Sequence, residues 1–259
     1  IGFAYTNIVD DQEAVENIVI RALNAAKASK PDPDWKGFAP KKPYLSTEKT
    51  FDSKVADLRS EDLVNIASTM LDSAGQVNKK VMAIEGGVGN AYISNAIANS
   101  NGISGFDKGT VIECSLATLA KDGNTVTPVC FEFNAARTYN LDPAWVGREA
   151  AKLSLSALKT KPIETKSTKL ILTQFALQDL LSYTLVNAVK ADSVQRNQSP
   201  FKDKIGQKVA SEDLTIYDDG LFPSGMRTWM FDGEGVPHQK TPLIEKGVLR
   251  SFLYDDYSA

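Results

Sequence analysis

A chain of 259 residues, 42% hydrophobic and 24% charged, has the composition of a folded globular protein with room for one large domain or two ordinary ones. Its net charge of −3 supplies no basic footprint, so direct nucleic-acid binding is not expected. No apolar run approaches the length of a membrane span and no basic-then-apolar leader opens the chain, which points to a cytoplasmic protein with no membrane contact.

Ile1–Asn7 reads as a short strand. Asp10 or Asp11 then caps a helix with Glu13 and Glu16 near its start, and Ala14, Ile18, Ala22 and Ala25 recur at helical spacing until Pro31 stops it. Asp32–Asp52 is a surface connection rich in Pro, Lys and aromatics, with Trp35, Phe38 and Tyr44 available to pin it down. A second helix starts at Ser60 and ends at Gly75, with Leu63, Ile66, Ala67, Met70, Leu71 and Ala74 on one face. Val77–Gly86 and Ala91–Ala98 read as two strands, and Glu85–Asn90 between them as a hairpin loop whose glycines supply positive φ. That Gly-rich loop has neither the Lys-Ser/Thr nor the following helix of a phosphate-binding loop. Asn99–Gly102 and Lys121–Asn124 are hairpin turns that flank a strand at Val111–Ala120, and Val126–Asn134 returns as the next strand.

Asp142-Pro143 opens a third helix that runs to about Leu158. Lys159–Lys169 is the expected domain boundary, which divides the chain into an N-terminal α+β domain over 1–160 and the start of a β-rich domain over 161–259. Leu170–Phe175 reads as a strand. Ala176–Lys190 reads as a helix with Leu177, Leu180, Leu181, Leu185 and Val189 inward, and Ser193–Gln207 as a loop. In Ser211–Ala259, a short β segment (Leu214, Ile216, Tyr217) is followed by an acid- and glycine-rich loop. A hairpin then turns at Lys246-Gly247. Helices and antiparallel strands are segregated, so the class is α+β, with helices packed on an antiparallel sheet. The chain opens and closes in strand-like runs, so the first strands of the first domain and the end of the second are expected to lie outside it.

Few residues offer chemistry. The single histidine, His238, sits in a polar loop, with no Gly-x-Ser-x-Gly elbow to make it part of a hydrolase triad. Cys114 and Cys130 are 16 residues apart, which is neither a zinc pair nor a disulfide framework; two buried reduced thiols are expected. Asp218, Asp219, Asp232, Glu234 and Glu245 are dense enough to consider carboxylate catalysis, but acids beside Gly and Pro more commonly build turns. The basic segment Lys190–Lys208 has only Phe201 as an interleaved aromatic, a poor nucleic-acid signature.

Several short motifs occur in an order that resembles one family. They are Gly2-Phe3-Ala4 before an acid-capped helix, Asn99-Ser100-Asn101-Gly102, Gly147-Arg148-Glu149-Ala150, and Ser199-Pro200-Phe201 leading to Gly206 and Val209. The Ser211–Ala259 stretch then follows in register, with its Asp-Asp loop, Phe231-Asp232-Gly233-Glu234-Gly235-Val236-Pro237 and Tyr257-Ser258-Ala259. This pattern resembles the TldD/PmbA family, peptidases once described as modulators of DNA gyrase. The resemblance implies zinc-dependent proteolysis of unstructured peptides by a dimer of two related subunits. The catalytic branch carries His-Glu-x-x-x-His on the helix before the Ser-x-Phe segment; here those positions hold Ser182, Tyr183 and Asn187. Ser and Asn oxygens are poor Zn²⁺ ligands beside imidazole, and Tyr cannot replace a carboxylate as base to a zinc-bound water.

The chain therefore resembles the PmbA/TldE branch that lacks the motif, with no catalytic residue and no metal of its own. Zinc is expected in a TldD-like partner subunit, and any further ligand lies past Ala259. Asn187, Ser199, Phe201, Asp219 and Glu234 are the candidate contacts to an unfolded peptide substrate. The alternatives are a homodimeric peptide-binding scaffold, a second copy replacing the partner, and an enzyme that uses the acids of the last stretch.

Overall fold

The computed structural model describes residues 1–259, and its centre is a long β-hairpin under two helices. β1 (Val81–Ala98) and β2 (Ser104–Asp122) pair antiparallel from Val81↔Ala120 to Ala98↔Ser104, turning through Asn99–Gly102. The Asn99 carboxamide oxygen accepts from the backbone N–H of Asn101 (3.0 Å) and Ile103 (3.1 Å), and Gly102 takes φ +87°. β3 (Thr125–Val126) folds back on the end of β2, and β4 (Cys130–Ala136) pairs along the other side of β2. The expected strand over Val126–Asn134 is thus broken between β3 and β4, where Pro128 has no N–H to give to a ladder.

The expected loop at Glu85–Asn90 does not exist: the run is continuous strand, with an irregularity of register between Ala83 and Glu85. Gly86, Gly87 and Gly89 are not among the glycines with positive φ. Gly86 is there for proximity instead, because a Cβ on it would stand 2.7 Å from the Ser115 carbonyl oxygen.

One face of this sheet is the main core. Ile112, Cys114 and Leu116 of β2 are buried under α3 (Ser60–Val77) and α4 (Pro143–Ala157), against Met70, Ala74, Val146, Ala150 and Ala151. Helix α3 runs past Gly75 to Val77, so that glycine is not its end. Asp142 caps α4, accepting from the Trp145 N–H at 2.8 Å. At Gly147 the two helices touch backbone to backbone, since a Cβ there would lie 2.0 Å from the Met70 carbonyl oxygen. A single turn, α2 (Ser53–Ala56), buries Val55 in the same core and has no counterpart among the elements expected from the sequence.

Two expected strands are absent, for one reason. Ile1–Asn7 and Leu170–Thr173 have strand-like composition but no partner, and β structure exists only as a ladder. The segment instead touches α1 (Gln12–Ala28) at Gly2, where a Cβ would meet the Ala22 carbonyl oxygen at 2.0 Å. Of the two expected caps of helix α1, Asp10 and Asp11, it is Asp11 that accepts from the Glu13 N–H. The helix expected over Ala176–Lys190 divides into α5 (Gln174–Tyr183) and α6 (Leu185–Ala188). At the break, the Thr184 hydroxyl donates to the Leu180 carbonyl, the i−4 contact by which Thr competes with the helical ladder. Leu177 and Leu180 are about half exposed rather than inward, whereas Val189 is buried. α7 (Ala191–Gln195) occupies part of the expected loop.

The C-terminal sheet orders β5 (Ile216–Asp219), β6 (Lys240–Glu245) and β7 (Val248–Leu249) antiparallel. Its hairpin turns at Lys246 (φ +47°) and Gly247 (φ +77°), the two successive positive φ angles that fit the twist of paired strands. Ala191, Ile244, Leu249 and Phe252 form a second core, with Leu185, Phe201 and Ile216 against it. The connection 32–52 is joined to this half by Tyr44, whose ring lies 5.2 Å from that of Phe231 and whose hydroxyl donates to the Gly235 carbonyl at 3.0 Å. Trp35 and Phe38 stack edge to face on each other.

Both cysteines are free, but only Cys114 is buried; Cys130 is partly exposed, which corrects the expectation of two buried thiols. Burial pushes the Cys114 thiol up and so disfavours its thiolate. In a thiol-reagent titration of the native protein, Cys130 is expected to react first and Cys114 only on unfolding. Equal rates would contradict the placement of Cys114 in the core.

Candidate functional site

The positions where a zinc-binding helix would present its ligands lie on α5 and α6, on either side of the break at Thr184. Ser182, Tyr183 and Asn187 are all exposed, Tyr183 to 82%. The Asn187 carboxamide oxygen accepts from the Lys190 ammonium at 3.3 Å. The donor set does not suit zinc: it has no imidazole or thiolate, its phenol is in solvent, and the helix that would align it is interrupted. The chain gathers no group of three or more His, Cys, Asp or Glu that could hold a metal ion.

Ser199 and Phe201 are occupied internally. The Ser199 hydroxyl donates to the Ala188 carbonyl at the end of α6 (2.6 Å) and accepts from the Phe201 N–H (3.0 Å), while the Phe201 ring packs on the second core. This pair fixes the segment after α7 against α6 and so sets where Asn187 stands.

Asp219 and Glu234 fall on different cavities. Asp219 lines one of 460 Å³, together with Asp218, Asp232, Arg227, His238 and Tyr254. Its carboxylate accepts from the Leu221 N–H (3.2 Å) and pairs with Lys240 (3.5 Å). Asp232 accepts from the N–H groups of Glu234 and Val236, both at 2.9 Å, so the acids build turns as their Gly and Pro neighbours suggest. Glu234 lines a cavity of 330 Å³ with Trp35, Phe38, Ile97 and Tyr257, and accepts from the Asp256 N–H at 2.9 Å. At its rim the Tyr257 hydroxyl donates to Asp32 (3.1 Å), which raises the phenol's pKa, and the Ser258 hydroxyl holds the Asp255 carboxyl below its usual range. Neither Ser182, Tyr183 nor Asn187 lines either cavity.

The structure gives His238 a setting that its loop position hid. Its Nδ1 lies 3.3 Å from the Gly220 carbonyl oxygen, and a Cβ on Gly220 would meet the imidazole ring at 2.8 Å. The glycine that follows Asp218-Asp219 makes room for this ring, a relation carried by no local spacing. Arg227 and Tyr254 join it in the same cavity, and no sequence motif marks either of them.

A helix-covered antiparallel sheet followed by a small three-stranded sheet, with the broken helix α5–α6 between them, defines an α+β protein. Residues 53–158 match the PmbA/TldA metallopeptidase central domain, and residues 165–259 match the PmbA/TldA metallopeptidase C-terminal domain. The chain belongs to the TldD/PmbA family. It is 32% identical over 98% of its length to an uncharacterized protein of Methanocaldococcus jannaschii, and 25% identical over 95% to Metalloprotease PmbA of Escherichia coli O157:H7. It spans 57% and 55% of those two proteins, respectively. The crystal structure of TldE from Thermococcus kodakarensis superposes with a TM-score of 0.91 at 29% identity, covering 96% of this chain and 56% of that one.

Proposed function

We propose that this chain is a non-catalytic, TldE/PmbA-like subunit of a TldD-type zinc metallopeptidase that processes unfolded peptides. The observation that carries this reading is the replacement of His-Glu-x-x-x-His by Ser182, Tyr183 and Asn187 on a helix that is itself broken. The fold similarity to a TldE and the family membership support it. In this reading zinc belongs to the partner. Asn187, Ser199, Phe201, Asp219 and Glu234 then act as wall and scaffold of a peptide chamber rather than as reacting groups.

The test is reconstitution. Alone, the chain is expected to purify without stoichiometric zinc, to cleave no unfolded peptide and to keep its melting temperature in chelator. Mixed with a TldD-type subunit it is expected to form a complex whose peptide cleavage is abolished by chelator. Stoichiometric zinc and chelator-sensitive cleavage by the isolated chain would overturn the reading. A stable homodimer that forms no such complex would favour a peptide-binding scaffold.

A further inference from the structure

The turn between β1 and β2 holds the only Asn-Gly step in the chain, Asn101-Gly102. In such a step the backbone nitrogen of the second residue can attack the side-chain carboxamide of the first, because glycine puts no side chain beside that nitrogen. Both residues are exposed, and the only atom within 4 Å of a Cβ on Gly102 would be Lys41 Cδ, at 3.9 Å. Nothing crowds the attacking nitrogen or keeps water from it.

Hydrogen bonds restrain the reaction instead. The Gly102 N–H donates to the Asn99 carbonyl at 3.2 Å, which occupies the nucleophile. The nitrogen that would leave, Asn101 Nδ2, donates to the Phe38 carbonyl. Beside it, Asn99 Nδ2 donates to the Ala39 carbonyl at 2.9 Å. The two carboxamides thus clasp residues 38–39, within the connection 32–52, against the tip of the hairpin. Ala39 is buried there, and Phe38 and Ala39 form part of the wall of the 330 Å³ cavity.

We propose that Asn101 is a deamidation site that this clasp protects, and that its conversion releases the clasp irreversibly. The Gly102 nitrogen bonds to Asn101 Cγ, and Nδ2 leaves as ammonia with the proton lost from Gly102. Water then opens the five-membered imide, at Cγ to give aspartate or at the main-chain carbonyl to give isoaspartate. Either product is a carboxylate at neutral pH. It has no proton to give the Phe38 carbonyl and sets one negative oxygen against another. Isoaspartate also inserts an extra carbon into the main chain of the turn. Because ammonia is lost, the clasp does not reform.

The test is ageing of the chain in mildly alkaline buffer, followed by peptide mapping. Asn101 is expected to convert before any other asparagine, and about tenfold or more slowly in the native chain than in urea, where the clasp is open. Asn99→Asp keeps the oxygen that accepts from Asn101 and Ile103 but removes the donor to Ala39, and is expected to speed conversion of Asn101 several-fold. The aged chain carries an added negative charge, so anion exchange isolates it without any variant. Its amide exchange over residues 36–41 is expected to rise, as in Asn101→Asp, while that of α3 and α4 stays unchanged. Equal conversion rates in buffer and in urea, or earlier conversion of another asparagine, would overturn the proposal. So would unchanged exchange over 36–41 in the aged chain, or an Asn99→Asp variant that converts no faster than the parent.

Discussion

Arg137→Ala is expected to destabilise the protein by about 3–5 kcal/mol, the cost of breaking a buried charged network from one side. Arg137 is 1% exposed and ties together three segments distant in sequence. Its Nε donates to the Thr50 carbonyl and its Nη1 to the Met226 carbonyl, both at 3.2 Å, and its guanidinium lies 4.6 Å from the centre of the Trp229 ring. Burial pushes its pKa down and Asp107 pushes it back up. Asp107, itself buried, accepts from the Met230 N–H at 2.8 Å, so the same cluster holds the loop before β6 against β2. Nη2 has no partner and sits where a Cβ on Gly109 would come within 2.1 Å, which shows how little room the site has. Arg137→Lys is expected to recover little, because a single ammonium cannot reach two carbonyls on separate segments as a planar fork does. Urea unfolding measures the loss, and amide exchange over 222–231 should rise with it. A change below about 1 kcal/mol, within the range of a single ordinary hydrogen bond, would mean that the clamp does not hold these segments.

The second large effect is expected at Gly147. Gly147→Val should cost about 3 kcal/mol, the upper end of what overpacking a core usually takes. Replacing glycine within a helix normally stabilises it, by up to about 1 kcal/mol for alanine. Here that gain is outweighed, because the added carbon would stand 2.0 Å from the Met70 carbonyl oxygen and 3.1 Å from the Ala74 nitrogen. Both are backbone atoms, so α3 must move away from α4 and open the core over Cys114 and Leu116. A thermal melt of Gly147→Ala and Gly147→Val tests this; a melting temperature at or above that of the parent in either variant would contradict the close approach of the helices.

The candidate site is partly legible in the sequence. The resemblance alone directs attention to Ser182, Tyr183 and Asn187 as the positions of a zinc motif, and the structure adds that the helix carrying them is interrupted at Thr184. The turn roles of Asp219 and Asp232 follow from neighbouring Gly and Pro, and their backbone hydrogen bonds agree. The surroundings of His238 are not legible, because its nearest contacts come from Gly220 and from a cavity wall assembled by separate loops. Nor is the role of Arg137, which in the sequence is one more charged residue after a strand.

By itself the sequence determined the features whose physics is local. These are the α1 cap, narrowed to Asp10 or Asp11, the cap at Asp142, the hairpins at Asn99–Gly102 and Lys246-Gly247, and the α+β class. Tertiary structure decided what depends on a partner. Ile1–Asn7 and Leu170–Thr173 have the composition of strands and form none, because a strand is stable only where another lies beside it. Glu85–Asn90 has the composition of a loop and is a strand, because β2 is there to pair with it and glycine fits where backbones meet closely.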